Sequence, residues 1–140
     1  MLFGRRSSRL KRILVVEDEP LVAFDNEHLL SDAGYTVVAT VDRVADAVAV
    51  ILADGLDLVL ADVRLSGDGD GLDVARAAKT KGIPLLFVTG SCPEDAQALA
   101  IGRLAKPYSA RDLLGAIEAV DATLAGRKVK RMPPGLTLFG

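Results

Sequence analysis

Five polar residues of this 140-residue chain could together handle a phosphoryl group, although they are far apart in sequence. They are Glu17, Asp18, Asp62, Thr89 and Lys106. Carboxylates brought together repel one another unless a cation lies among them, and a hard divalent cation with oxygen ligands leaves positions for water or phosphate oxygens. Magnesium is therefore the predicted ion. Lysine and threonine side chains donate to anionic oxygens, so the set predicts phosphoryl chemistry with Asp62 as the nucleophile.

The segments before these residues predict the strands and helices that would position them. Short apolar runs rich in β-branched residues predict strands, and proline, glycine and capping residues mark the ends of helices. The predicted strands are 13–16, 35–40, 58–61, 85–88 and 103–105, and the predicted helices are 20–33, 43–53, 72–81, a short or irregular 93–100, and a last helix from the cap Ser109 to about residue 125. Asp42 is the predicted N-cap of the second helix.

Strands that alternate with helices predict an α/β fold. Such a chain forms a parallel sheet, here of five strands, with right-handed crossovers and helices on both faces. Ligands of these sheets bind beyond the carboxyl ends of the strands. The five polar residues all follow predicted strands, so we expect them at that edge.

Length, charge and cysteine content restrict the remaining possibilities. The length predicts one domain. The distribution of charge divides the chain into a basic N-terminal arm at 1–10, the domain at 11–125 and a basic, apolar C-terminal tail at 126–140. The region between these ends carries all 19 acidic residues, which argues against nucleic-acid binding by the core. No apolar run is long enough for export or for a membrane span. Because the single Cys92 suits a reducing compartment, the predicted location is cytoplasmic.

Four motifs give the chain a family resemblance. They are Val16-Glu17-Asp18-Glu19, Leu60-Ala61-Asp62, Val88-Thr89-Gly90 and Lys106-Pro107-Tyr108. In this order, each at the end of a predicted strand, they resemble the response-regulator receiver domains of bacterial two-component signalling over residues 11 to about 125. The resemblance implies a flavodoxin-like sheet of order 2-1-3-4-5.

The resemblance also implies a role for each site residue. Asp62 would accept a phosphoryl group from a histidine kinase or a histidine phosphotransfer protein. Asp18, Asp62 and the backbone carbonyl of Arg64 would hold Mg²⁺, with Glu17 assisting through water. Lys106 would bridge to the phosphoryl group, Thr89 would turn towards it, and the Lys106-Pro107 bond would be cis. Such a domain is a phosphoacceptor and not an enzyme, apart from its own phosphotransfer and dephosphorylation.

Two departures concern the switch and the subgroup. Most receivers carry an aromatic residue three positions before the lysine, and this chain has Arg103, so an output surface on strand five must change by another route, such as charge rearrangement or the ordering of a segment. The run Phe87-Val88-Thr89-Gly90 resembles the alphaproteobacterial FATGUY subgroup of stand-alone receivers.

Several alternatives stay open at the level of sequence. The leading interpretation is a stand-alone receiver that signals by protein contact or acts as a phosphorelay intermediate or phosphate sink. A receiver that binds a partner without being phosphorylated is the second interpretation. A magnesium-dependent phosphohydrolase of the dehalogenase type is disfavoured, because the second acid of that superfamily corresponds to Arg64 here. The ends of the chain are interpreted either as solvated tails or as arms that dock on a partner or form a homodimer.

Overall fold

The computed structural model of the chain describes residues 10–140. These residues form six strands, four α-helices and one short 3-10 helix. The strands are β1 (Arg12–Val16), β2 (Thr36–Val41), β3 (Leu58–Ala61), β4 (Leu85–Thr89), β5 (Gly102–Ala105) and β6 (Leu136–Leu138); the helices are α1 (Pro20–Asp32), α2 (Val44–Leu52), α3 (Gly71–Thr80) and α4 (Ala110–Leu124). No helix of this described part is long and apolar enough to cross a membrane. The predicted basic arm lies outside it, except for the buried Leu10.

All six strands belong to one sheet, in the order β2-β1-β3-β4-β5-β6. The first five are parallel, which confirms the predicted α/β fold and strand order. The expectation of five strands needs correction, because β6 pairs with β5 in the antiparallel sense. This strand belongs to the segment expected to be a tail. It supplies backbone partners to β5, which would otherwise be an open sheet edge.

The central strands β1, β3 and β4 are buried on both faces of the sheet, as the uninterrupted apolar runs of the sequence predict. Successive side chains of a strand point to opposite faces. In β1, Ile13 and Val15 therefore pack into one hydrophobic cluster, together with α4, while Leu14 and Val16 pack into the other, together with α2 and α3. The central strands β1, β3 and β4 are held from both sides, so their carboxyl ends are fixed relative to one another.

Of the two helix N-caps predicted from the sequence, one is confirmed and the other is wrong. The Ser109 side chain accepts a hydrogen bond from the backbone N–H of Asp112, as predicted for an N-cap. The prediction of Asp42 as a cap was wrong: Arg43 is the N-cap of α2 and makes no side-chain capping bond. Arg43 forms a β-bridge with Ser66 and has an extended backbone conformation, so the helix begins one residue later than predicted. The irregular segment at 93–100 contains a 3-10 helix, Glu94–Ala98.

We expect Ser109→Ala to lower the free energy of unfolding by about 1 kcal/mol, because the N–H of Asp112 loses its acceptor. The measurement is urea denaturation followed by circular dichroism. Ser109→Asn keeps an acceptor oxygen and serves as the control, with a midpoint close to that of the parent. Equal losses in the two variants would contradict the capping role.

Candidate functional site

The acidic residues meet because strands β1 and β3 end side by side. Val16 at the end of β1 is in register with Ala61 at the end of β3. The backbone N–H of Asp62 donates to the carbonyl oxygen of Val16 at 3.0 Å. Glu17 and Asp62, each the next residue along the chain, therefore emerge at the same edge of the sheet.

The hydroxyl and the amine of the predicted site meet in the same way on strands β4 and β5. Thr89 is in register with Ala105, and the backbone N–H of Lys106 donates to the carbonyl oxygen of Thr89 at 3.1 Å. The peptide bond between Lys106 and Pro107 is cis, as the resemblance implied. All five residues predicted from the sequence are thus at the carboxyl edge of the parallel strands.

Three carboxylates form a compact cluster at this edge. Glu17, Asp18 and Asp62 each offer an oxygen atom, and these atoms lie within 4.8 Å of one another. Glu17 and Asp62 are buried and Asp18 is half-buried. A hard divalent cation such as Mg²⁺ prefers oxygen ligands of this kind, so the donor set fits the predicted ion.

The ammonium group of Lys106 lies among carboxylates. Its Nζ donates to Asp62 Oδ2 at 2.7 Å, to Glu17 Oε1 at 2.8 Å and to Glu19 Oε1 at 3.2 Å. Burial alone would lower the pKa of Lys106, but the hydrogen bonds that it donates to Asp62 and Glu17 outweigh burial and raise the pKa. Burial raises the pKa of Glu17, and the hydrogen bond from Lys106 opposes that rise. Lys106 therefore keeps its positive charge among these carboxylates.

The remaining predicted residues surround this cluster. The Thr89 hydroxyl donates to the carbonyl oxygen of Ser91 at 2.8 Å, so it is bonded within its own loop. The backbone N–H of Arg64 donates to Asp62 Oδ1 at 3.3 Å, which places this backbone beside the carboxylate. A role for the Arg64 carbonyl as a metal ligand stays a prediction.

Three further residues shape the site without having been predicted to do so. Glu19 contacts Lys106, and the Ser66 hydroxyl donates to Asp18 Oδ2 at 3.5 Å. Gly71 begins α3 directly against β3, where a Cβ atom would lie 2.1 Å from the carbonyl oxygen of Asp62. The sequence held a signal for Glu19, which adjoins the acidic pair, whereas the close approach of Gly71 depends on tertiary packing.

Comparison with known proteins identifies the family of the chain. Residues 13–118 match the family model of the response regulator receiver domain. The chain belongs to this family. Receiver domains are signalling modules of two-component systems, so the family agrees with the placement of the acids, the threonine and the lysine at one edge.

Individual relatives extend the family match. The receiver is 33% identical over 114 residues to the transcriptional regulatory protein PdtaR of Mycobacterium tuberculosis, which covers 77% of this chain and 55% of that protein. It thus spans about half the length of this curated relative. SdrG from Sphingomonas melonis, a solved structure, is 35% identical with a TM-score of 0.69, and the match covers 84% of this chain and 99% of that one.

A second solved structure bears on the metal. The receiver domain of the sensor histidine kinase PA1611 from Pseudomonas aeruginosa is 26% identical with a TM-score of 0.69, over 78% of this chain and 95% of that one. That structure contains a magnesium ion coordinated in its active site cleft. Receiver domains bind Mg²⁺ at an acidic pocket, and the receiver described here has an acidic cluster of the appropriate kind.

Proposed function

We propose that this receiver accepts a phosphoryl group on Asp62, in an Mg²⁺-dependent reaction, from a histidine kinase or a histidine phosphotransfer protein. The observation that carries the proposal is the contact of Asp62 with Lys106 inside the acidic cluster. A nucleophilic carboxylate, a cation-binding set of oxygens and a charged donor are what transfer of a phosphoryl group requires. In the transfer, a phosphorus–nitrogen bond of the donor breaks and a bond from phosphorus to an Asp62 oxygen forms.

Each residue of the site has a proposed role in this transfer. Asp18, Asp62 and the carbonyl of Arg64 hold Mg²⁺, and Glu17 assists through water. When bound, the ion neutralises charge between the carboxylate and the incoming phosphoryl group. Lys106 follows the new phosphoryl oxygens, and the Thr89 hydroxyl leaves the carbonyl of Ser91 to donate to them. Positioning and charge neutralisation supply most of the acceleration.

The surroundings of the site suit a protein donor. A groove opens beside Lys106, between α1 and the segment that starts at Pro107. Val22 and Leu29 of α1 line this groove, so it offers apolar surface to a partner protein. We propose that the phosphodonor protein docks at this groove. We also propose that the receiver works in the cytoplasm as a phosphoacceptor that signals by protein contact or serves a phosphorelay.

Acetyl phosphate with Mg²⁺ tests the proposal without a kinase. We expect the full chain to gain the mass of one phosphoryl group by intact mass spectrometry, and to gain none when EDTA removes the metal. Lack of any gain with Mg²⁺ bound would contradict the proposal and support a receiver that binds partners without being phosphorylated. Steady release of phosphate without a phosphorylated chain would support a phosphohydrolase.

We expect Asp18→Asn to weaken Mg²⁺ binding on the order of tenfold or more, because a neutral amide replaces one anionic ligand. Isothermal titration of the metal measures this directly. Asp32→Asn, at the exposed end of α1, makes the same chemical change outside the cluster and should bind Mg²⁺ like the parent. Equal affinities for Asp18→Asn and the parent would remove Asp18 from the metal site.

A further inference from the structure

The last segment of the described chain packs along β5 and α4. We call residues 127–139 the C-terminal strap. Its strand β6 is in register with β5, with Leu136 opposite Leu104 and Leu138 opposite Gly102. Leu136 is buried in the hydrophobic cluster that includes α4, and the Arg131 guanidinium pairs with Asp112 of α4 at 3.1 Å. The strap is thus an intramolecular partner that occupies this face.

Two glycines make room for the strap. A Cβ atom at Gly102 of β5 would lie 2.5 Å from the carbonyl oxygen of Thr137. A Cβ atom at Gly115 of α4 would lie 2.7 Å from the Arg131 guanidinium and 2.9 Å from Pro133. Glycine weakens the interior of a helix or strand, so its presence at both positions fits a face built to receive the strap.

The strap is attached where the phosphorylation site has to move. The backbone N–H of Ala105 donates to the carbonyl oxygen of Gly135 at 3.0 Å. Ala105 is in register with Thr89 and directly precedes Lys106. To reach a phosphoryl group on Asp62, Thr89 must leave the carbonyl oxygen of Ser91, and Lys106, which already contacts Asp62, must move with the phosphoryl oxygens. Because the attachment is formed with these residues in their present positions, it opposes their displacement.

We propose that the C-terminal strap holds β5 in its unphosphorylated arrangement, and that phosphorylation of Asp62 weakens the attachment of the strap. This inference rests on the proposed function. Coupling between two sites is reciprocal, so loosening the strap must favour the phosphorylated arrangement to the same extent. Arg103, which stands where an aromatic residue is usual, lies in register with Thr137 of the strap. The strap therefore provides a route for a change on β5 to reach the surface.

Hydrogen exchange with beryllofluoride tests the coupling in the full chain. Beryllofluoride with Mg²⁺ mimics a phosphoryl group on a carboxylate, and fluorine NMR shows whether it is bound. We expect faster deuterium uptake in the peptide that contains residues 136–139 once the analogue is bound, and unchanged uptake in strand β2. Bound analogue with unchanged uptake at 136–139 would overturn the strap proposal while leaving the proposed function standing. Absence of binding would contradict both.

Variants test the reciprocal effect. Gly115→Ala places a methyl group against Arg131 and Pro133 while improving the helix, and we expect it to bind beryllofluoride on the order of fivefold more tightly than the parent. Arg131→Ala, which removes the ion pair with Asp112, should shift the affinity in the same direction. Lys130→Ala removes the same charge from an exposed strap residue that has no ion pair within residues 10–140, and should bind like the parent.

The effect of a wedge variant on the strap can be distinguished from a loss of folding. Circular dichroism establishes that each variant keeps the secondary structure of the parent, and Gly102→Ala provides a second wedge, directed at Thr137, if the first variant is poorly folded. An affinity equal to or weaker than that of the parent, in a wedge variant that folds like the parent, would overturn the proposal.

Discussion

Asp62→Asn is expected to abolish phosphorylation by acetyl phosphate, a loss on the order of a hundredfold or more in the rate of mass gain. An amide has nearly the shape of the carboxylate but offers no anionic oxygen to attack phosphorus. Asn keeps one acceptor oxygen, for either the N–H of Arg64 or the ammonium of Lys106, and Lys106 still contacts Glu17, so the fold should persist. The measurement is intact mass spectrometry of the full chain over time, with Mg²⁺ present.

Asp68→Asn is the matched control for this change. Asp68 lies in the exposed loop that follows β3, so the substitution makes the same chemical change in the same loop. It should gain the phosphoryl group at the rate of the parent. If Asp62→Asn gained mass as fast as Asp68→Asn, the phosphoryl group would be on another residue, and Asp18 and Glu17 would be the first to examine.

Lys106→Met is expected to lower the free energy of unfolding by about 3 kcal/mol when no divalent ion is present. Methionine keeps the length of the side chain but removes the ammonium group that contacts Asp62, Glu17 and Glu19. The Glu17 side chain is only 1% exposed and that of Asp62 only 9%. In the variant, both buried carboxylates would therefore have lost their neighbouring cation and would have little water to solvate them. Millimolar Mg²⁺ should restore part of the loss, because the ion supplies the missing charge.

The pH dependence of this variant has a definite sign. Burial already raises the pKa of Glu17, and loss of the lysine removes the main interaction that opposes this rise. A carboxyl group with a raised pKa in the folded state favours folding when protonated and loses that contribution as the pH rises through its folded pKa. The penalty of Lys106→Met should therefore shrink as the solution is made acidic and grow towards neutral pH.

Lys81→Met provides the control for the loss of a lysine. Lys81 pairs with Asp54, whose side chain is 75% exposed, and an ion pair of this kind contributes about 0 to 1 kcal/mol. Urea denaturation of both variants, with and without Mg²⁺, makes the comparison. If Lys106→Met were no less stable than Lys81→Met at neutral pH, the ammonium group of Lys106 would not be offsetting the buried carboxylates.

The site could be predicted from the sequence because its residues lie at or directly after the ends of strands. A short apolar run followed at once by acids, as at Val16 and Ala61, marks both the end of a buried strand and the residues that emerge there. Parallel pairing then brings the ends together, whatever the loops do. This is why Glu17, Asp18, Asp62, Thr89 and Lys106 lie at one edge as expected.

Features that depend on side-chain reach or on a distant partner could not be predicted in this way. The three residues of β6 show too short an alternation to indicate a strand, and what makes them one is the free edge of β5. The contact between Glu19 and Lys106 depends on the path of the chain into α1. The N-cap of α2 is Arg43 and not the predicted Asp42, because Arg43 forms a bridge to Ser66, 23 positions along the chain.

The most direct test of the central claim is to locate the phosphoryl group chemically. The full chain is phosphorylated by acetyl phosphate with Mg²⁺ and treated with borohydride, which reduces an aspartyl phosphate to homoserine, and the peptides are then sequenced by mass spectrometry. The account predicts homoserine at position 62, dependent on both acetyl phosphate and Mg²⁺. Homoserine at another aspartate, or an unchanged Asp62 in a chain that has gained the phosphoryl mass, would contradict it.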